Sequence, residues 1–260
     1  MKTLLISVVA AAVAGQASAA DIPVKASPAP VITTWTGWFI GVNAGHSWGQ
    51  TKVGYAQDPG ILEGFGVNGI EGLALNRTLH PRHAMGGVQA GYNFQTSSWL
   101  IGVVADINFR EARDRVVVGP LNTFGDTLTL ETSQSWLGTV RARAGLTFAN
   151  SWLIYATGGF AYGRASHSVT QTITNSAPQT FSASGTNPGW VAGAGTEYRL
   201  DRRWSIGAEY LYVDLGTDTL TRAPNAAPIG GNAPGAFPAT RVSFKDVSHI
   251  ARVTFSYRFD

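Results

Sequence analysis

Apolar and polar residues alternate one by one along most of the chain, the period of a β-strand with two unlike faces. Eight segments carry the pattern. The first sets Trp38, Ile40, Val42 and Ala44 against Gly41, Asn43, Gly45 and Ser47. The second sets Val88, Ala90, Tyr92 and Phe94 against Gly87, Gln89, Gly91 and Asn93. The third opposes Trp99, Ile101, Val103, Ala105, Ile107 and Phe109 to Gly102, Asp106, Asn108 and Arg110. The fourth opposes Trp136, Val140, Ala142, Ala144, Leu146 and Phe148 to Thr139, Arg141, Arg143 and Thr147. The fifth, 152–163, admits either facing and is read with Trp152, Ile154, Phe160 and Tyr162 outward. The last three run 190–200, 204–212 and 251–259. Their aromatic faces oppose Glu197 and Arg199, then Glu209, then Arg252 and Arg258.

One face is therefore apolar and aromatic throughout, and the other is glycine, small polar residues and charge. A soluble sandwich would turn the apolar face inward. Here Asp106, Arg141, Arg143, Glu197, Arg199, Glu209, Arg252 and Arg258 lie deep within strands on the polar face. Enclosed charges are costly unless paired, so these are expected to pair with one another. A transmembrane barrel inverts the usual order, with apolar residues toward lipid and polar residues toward the lumen. Closure also satisfies every backbone hydrogen bond, which lipid demands. Connections alternate strictly between tight turns (95–98, 149–151, 201–203) and long segments (50–82, 111–135, 164–189, 216–246). That is the rhythm of short periplasmic turns and longer extracellular loops. An all-β barrel of eight antiparallel strands follows. Alternation in 168–174 and 179–184 leaves open either longer strands or an extra hairpin, which would make ten strands.

Tryptophan placement gives a second line of argument. Trp99, Trp152 and Trp204 each follow a short turn, Trp38 opens the first strand, and Phe259 closes the last. Trp48, Trp136 and Trp190 adjoin long segments. Two aromatic rows of this kind are what the two bilayer interfaces select.

Composition agrees. Only 13% of the 260 residues are charged, against about 25% in soluble proteins. There are 31 glycines and no cysteine, so no disulfide framework or cysteine-based metal site exists. Met1-Lys2-Thr3, an apolar run to Ala14 and Ala17-Ser18-Ala19 form a secretory signal segment over 1–19. A Pro-rich periplasmic tail is expected over 20–34 and the barrel over 35–260. No other apolar run approaches the length of a membrane helix.

The segment from Trp35 to Gly45 (WTGWFIGVNAG), preceded by Asp21-Ile22-Pro23-Val24, resembles the small outer-membrane β-barrel proteins of alphaproteobacteria. These are the outer-membrane immunogenic or porin-family proteins. Residues 136–143 (WLGTVRAR), 155–163 (YATGGFAYG), 190–198 (WVAGAGTEY) and 209–215 (EYLYVDL) extend the resemblance in order. It implies an OmpA-like eight-stranded barrel in the Gram-negative outer membrane, with no general enzymatic activity. It also implies handling by the barrel-assembly machinery, which reads a terminal aromatic. Here Phe259 is followed by Asp260.

Candidate chemistry is sparse. Gly64-Phe65-Gly66-Val67-Asn68-Gly69 matches a dinucleotide-binding fingerprint but lacks the strand–helix context that gives it meaning. His80 and His83 offer two metal ligands and no third. His167 and His249 lie near Ser168, Ser248 and Asp246, but neighbours Ser248 and His249 point to opposite faces of a strand. No cofactor, metal or nucleic-acid partner is expected, and no catalytic residue. The inward charges read as an ion-pair plug, because eight strands leave only enough room for side chains. A small anion-biased pore is the alternative, and an outer-membrane lipid-modifying enzyme a more distant one. Arg110, Arg113 and Arg115 are expected to form part of an outer collar touching lipopolysaccharide phosphates.

Overall fold

A computed structural model describes residues 34–57, 74–121, 125–149, 151–172, 178–222, 225–229, 233–237 and 240–259. The expected signal segment, nearly all of the tail, Gly64–Gly69 and Asp260 lie outside the described residues. The strands are β1 (Gly37–Gln57), β2 (Ala74–Leu79), β3 (Arg82–Thr96), β4 (Trp99–Val118), β5 (Thr127–Phe148) and β6 (Trp152–Thr172). They continue with β7 (Gln179–Arg199), β8 (Trp204–Arg222), β9 (Asn225–Ile229), β10 (Ala233–Phe237) and β11 (Thr240–Arg258).

Nine strands form one antiparallel sheet in the order β11-β8-β7-β6-β5-β4-β3-β1-β2, and β11 also pairs with β1 to close it. β2 and β3 share one place in the ring. Both pair with the same edge of β1, β2 opposite Thr51–Ala56 and β3 opposite Gly37–Trp48. Pro81 interrupts them, having no N–H to give to the ladder, while its carbonyl still accepts from Gly49 N at 3.0 Å. The result is an eight-membered barrel, with β9 and β10 as a separate hairpin. Pairing from β6 to β7 runs out to Gln171 opposite Gln179, so the alternation over 168–172 and 179–184 lengthens existing strands.

The walls are taller than the sequence suggests. Much of 111–135, 164–189 and 216–246 is strand. Facing is as expected in the lower part of the wall. Trp38, Ile40, Val42, Val88, Ile101, Val103, Ile154, Phe160, Phe255 and their neighbours are exposed on the outside. The fifth segment faces as read, with Phe160 at 76% exposure and Tyr155 at 4%. About ten residues separate Trp38 from Trp48 and Trp99 from Phe109. At the rise and tilt of barrel strands this gives an apolar band about 25 Å tall.

Beyond that band the polarity reverses. The inside of the upper wall is a hydrophobic cluster that includes Val53, Tyr55, Leu79, Leu128, Leu130, Val169, Val242 and Phe244. The outside there is Arg113, Arg115, Glu131, Ser182, Ser184 and Thr217. This upper section is built like an ordinary water-facing barrel, standing on one turned inside out. Register shifts sit at the boundary, between Phe109 and Ala112, Gln134 and Trp136, and Lys245 and Val247. Ser135 is the extra residue of β5 against β6, and the inward positions change there from odd to even numbers. On β8 the same change occurs at Gly216, whose φ of 75° favours glycine.

Candidate functional site: the lumen and the outer wall

The lumen is filled in layers. At the short-turn end Trp35 lies 1% exposed inside the ring. The guanidinium groups of Arg199 and Arg258 lie over it at 4.4 and 4.6 Å. Leu100, Leu153 and Tyr155 pack with it. The apolar-outward pattern gave no place to Trp35. Gly37, at φ 135°, ends the strand's phase and lets the preceding chain fold inward.

Above this layer Arg143 donates to Glu197 Oε1 at 2.6 Å and to Asn93 Oδ1 at 2.8 Å. Its guanidinium lies 4.5 Å from the Phe39 ring centre. Next comes a four-membered ring of charge. Arg141 donates to Glu209 Oε1 at 2.6 Å and Asp106 Oδ2 at 2.8 Å. Arg252 donates to Glu209 Oε2 through Nε at 2.8 Å and to Asp106 Oδ2 through Nη2 at 3.0 Å. Thr139, Asn108 and Tyr155 donate to the same carboxylates. Two cations and two anions cancel, and the neutral donors take further lone pairs. This is the satisfied form of a buried ion cluster. The eight inward charges inferred from the alternation are thus all enclosed, but they divide into a quartet, a pair and two arginines on Trp35.

Arg110 departs from expectation. It keeps the inward parity of Asp106 and Asn108, lies 3% exposed in the lumen, and none of its guanidinium nitrogens has a hydrogen-bond partner. Its burial removes it from the outer collar. Arg113 and Arg115 are exposed on the outside, where Arg115 pairs with Glu131 at 3.4 Å.

Among the described residues the histidines do not come together with a third metal ligand. His80 is exposed and its backbone N–H donates to Asp114, whereas His83 faces the lumen. Ser248 and His249 face opposite ways. Ser248 is buried, while His249 bonds the Tyr210 hydroxyl at 2.6 Å and stacks on Trp48. His167 instead bridges the upper lumen, with Nδ1 at 3.1 Å from Thr132 Oγ1 and Nε2 at 3.5 Å from Asp246 Oδ2. Thr51 donates to that aspartate, and Phe244 stacks on the imidazole at 4.1 Å. The order hydroxyl–imidazole–carboxylate resembles a hydrolytic triad, but the group is 1% exposed and beneath an aromatic ring. Burial holds the His167 pKa below its ordinary value, and Asp246 opposes the shift.

Two aromatic rows ring the outside. Trp38, Trp99, Trp152, Trp204 and Phe259 are exposed at the short-turn end, joined by contacts such as Trp152–Tyr198 at 4.8 Å. At the other end Trp48, Trp136 and Trp190 pair with Tyr210, Tyr162 and Tyr212. Directly above that second row, β5, β6 and β7 present small hydroxyl residues in register, beside two arginines of β4. Arg113, Ser133, Ser166 and Ser184 form one cross-strand row. Arg115, Glu131, Ser168 and Ser182 form the next. They line a hollow of about 600 Å³.

A family model described as an outer membrane protein beta-barrel domain matches residues 6–259. The chain is 33% identical to the 31 kDa outer-membrane immunogenic protein of Brucella melitensis over 265 residues, covering 100% of both. It is 30% identical to a 22 kDa outer membrane protein of Rhizobium leguminosarum bv. viciae over 158 residues, 60% of this chain and 65% of that one. The crystal structure of OprG from Pseudomonas aeruginosa aligns with a TM-score of 0.49 and 15% identity, over 86% of this chain and 96% of that one. Inverted facing, two aromatic rows, closed pairing and full-length similarity converge: this chain belongs to the outer-membrane β-barrel family of Gram-negative bacteria.

Proposed function

We propose that this barrel is a closed structural element of the outer membrane, which stabilises the bilayer and holds its connecting segments at the cell surface. The observation that carries the reading is the Asp106–Arg141–Glu209–Arg252 quartet. It spans the lumen, with Trp35 below it and the Phe244 cluster above. An ion permeating the axis would have to part charge-assisted bonds and then cross an apolar layer. The reading is non-enzymatic, because among the described residues the imidazole that lies beside a carboxylate and a hydroxyl in the upper lumen, His167, is enclosed. Planar-bilayer recording of the refolded full chain tests it. The expected trace has no steady, reproducible channel. Stable openings of uniform size, altered by Arg141→Met, would overturn closure in favour of a small-solute pore.

A further inference from the structure

The outer wall above the aromatic row is not a generic solvated surface. Its two in-register rows place Ser133, Ser166, Ser168, Ser182 and Ser184 side by side across β5, β6 and β7. Thr170 and Thr180 continue the face upward and bond each other at 2.9 Å. Neighbouring strands lie about 4.8 Å apart, so this plate of hydroxyls is roughly one disaccharide wide. Charged side chains lie mostly on its border, but Glu131 stands in the second row on β5, where its carboxylate accepts from Ser168 Oγ at 3.3 Å. Arg113 and Arg115 stand on the β4 side, and exposed Arg164 stands below, opposite Trp136 in the ladder. Glu131 neutralises one of these charges and leaves the border cationic.

We propose that this plate binds the phosphorylated sugar headgroup of the membrane's own lipopolysaccharide. The inference rests on the membrane reading above. Three features choose the occupant. The plate begins where the apolar band ends, the height at which acyl chains give way to sugar. Closely spaced hydroxyls match a polyol, which both donates and accepts hydrogen bonds. Arginines on the border match phosphate, which they hold bidentately. A hollow of about 600 Å³ falls within the size range of small-molecule sites.

The test uses folded full-length protein in a zwitterionic detergent, titrated with purified lipopolysaccharide. Parallel titrations use enzymatically dephosphorylated lipopolysaccharide and phosphatidylglycerol. Charge-assisted hydrogen bonds contribute enough that R113S/R115S is expected to bind roughly tenfold or more weakly. Dephosphorylation should reproduce that loss. S166V/S184V, which removes hydroxyls and no charge, should weaken binding several-fold. Arg241→Ser, which removes an exposed arginine away from the plate, should bind as the parent does. Equal affinity for R113S/R115S and the parent would overturn the proposal. So would equal binding of phosphatidylglycerol, or an equal loss from Arg241→Ser. A barrel that is silent in bilayers yet does not bind lipopolysaccharide refutes only the plate. One that conducts and binds refutes only closure.

Discussion

Arg141, Arg143, Arg252, Glu197 and Glu209 each face a glycine across the ladder: Gly159, Gly102, Gly45, Gly207 and Gly195. A Cβ at Gly159 would lie 2.1 Å from the Val140 carbonyl oxygen and 2.7 Å from Arg141 Cα. The glycines thus give the charged side chains room to bend into a narrow lumen. Gly159→Ala is expected to lower stability by about 1–3 kcal/mol through overpacking. Gly185→Ala, whose nearest neighbour is Asn187 Oδ1 at 3.6 Å, is expected to be close to neutral. Urea titration of the folded barrel separates the two. Arg141→Met tests the quartet itself. It leaves Asp106 and Glu209 sharing Arg252 alone, an uncompensated buried charge worth about 3–5 kcal/mol. Adding Asp106→Asn restores the balance and should recover part of that loss. A neutral single variant would mean that the quartet is solvated.

At the scale of the element, the alternation discloses the upper wall only in part, over 168–174 and 179–184. Residues 127–131 alternate in the opposite sense to the lower wall, 132–135 are all polar, and Ser135 breaks the phase. Read from the lower wall, such a segment looks like the end of a strand. The upper wall also carries a titrating group. His167 is held neutral by burial, whereas in the unfolded chain it titrates near its ordinary value of 6.5. As pH falls below that value the unfolded state gains a proton that the folded state does not. Stability therefore declines with acidification until the depressed folded-state pKa is passed. Urea midpoints from about pH 8 down to about pH 5 should fall for the parent and fall less for His167→Gln. An identical slope in both proteins would assign the acid sensitivity to another group.

For the whole molecule, strand number, ring closure, facing and both aromatic rows were legible, because lipid imposes a strict alternation on everything it touches. The lumen was legible only by side. Parity placed Asp106, Arg141, Glu209 and Arg252 inward, but which cation meets which anion depends on the stagger of strands around the ring, as Arg141 on β5 reaching Glu209 on β8 illustrates. Parity also placed Arg110 inward, and only its position near the long segments argued for the collar. Trp35 was hidden because it precedes the first regular strand. The hydroxyl plate was hidden because its rows are built from residues far apart in the chain.

The change of polarity along the wall has a thermodynamic consequence. The lower wall moves from water into lipid, whereas the upper wall hides Val53, Leu128, Val169 and Phe244 from water, as a soluble protein does. While the ring stays in its membrane, opening of the upper wall exposes apolar surface to water and carries the heat-capacity change of the hydrophobic effect. Loosening of the lipid-facing side exposes apolar surface only to lipid and does not. One continuous ring therefore joins two temperature laws. Cooling weakens apolar association, and in this barrel it loosens the end that faces the outside world while leaving the lipid-embedded end in place.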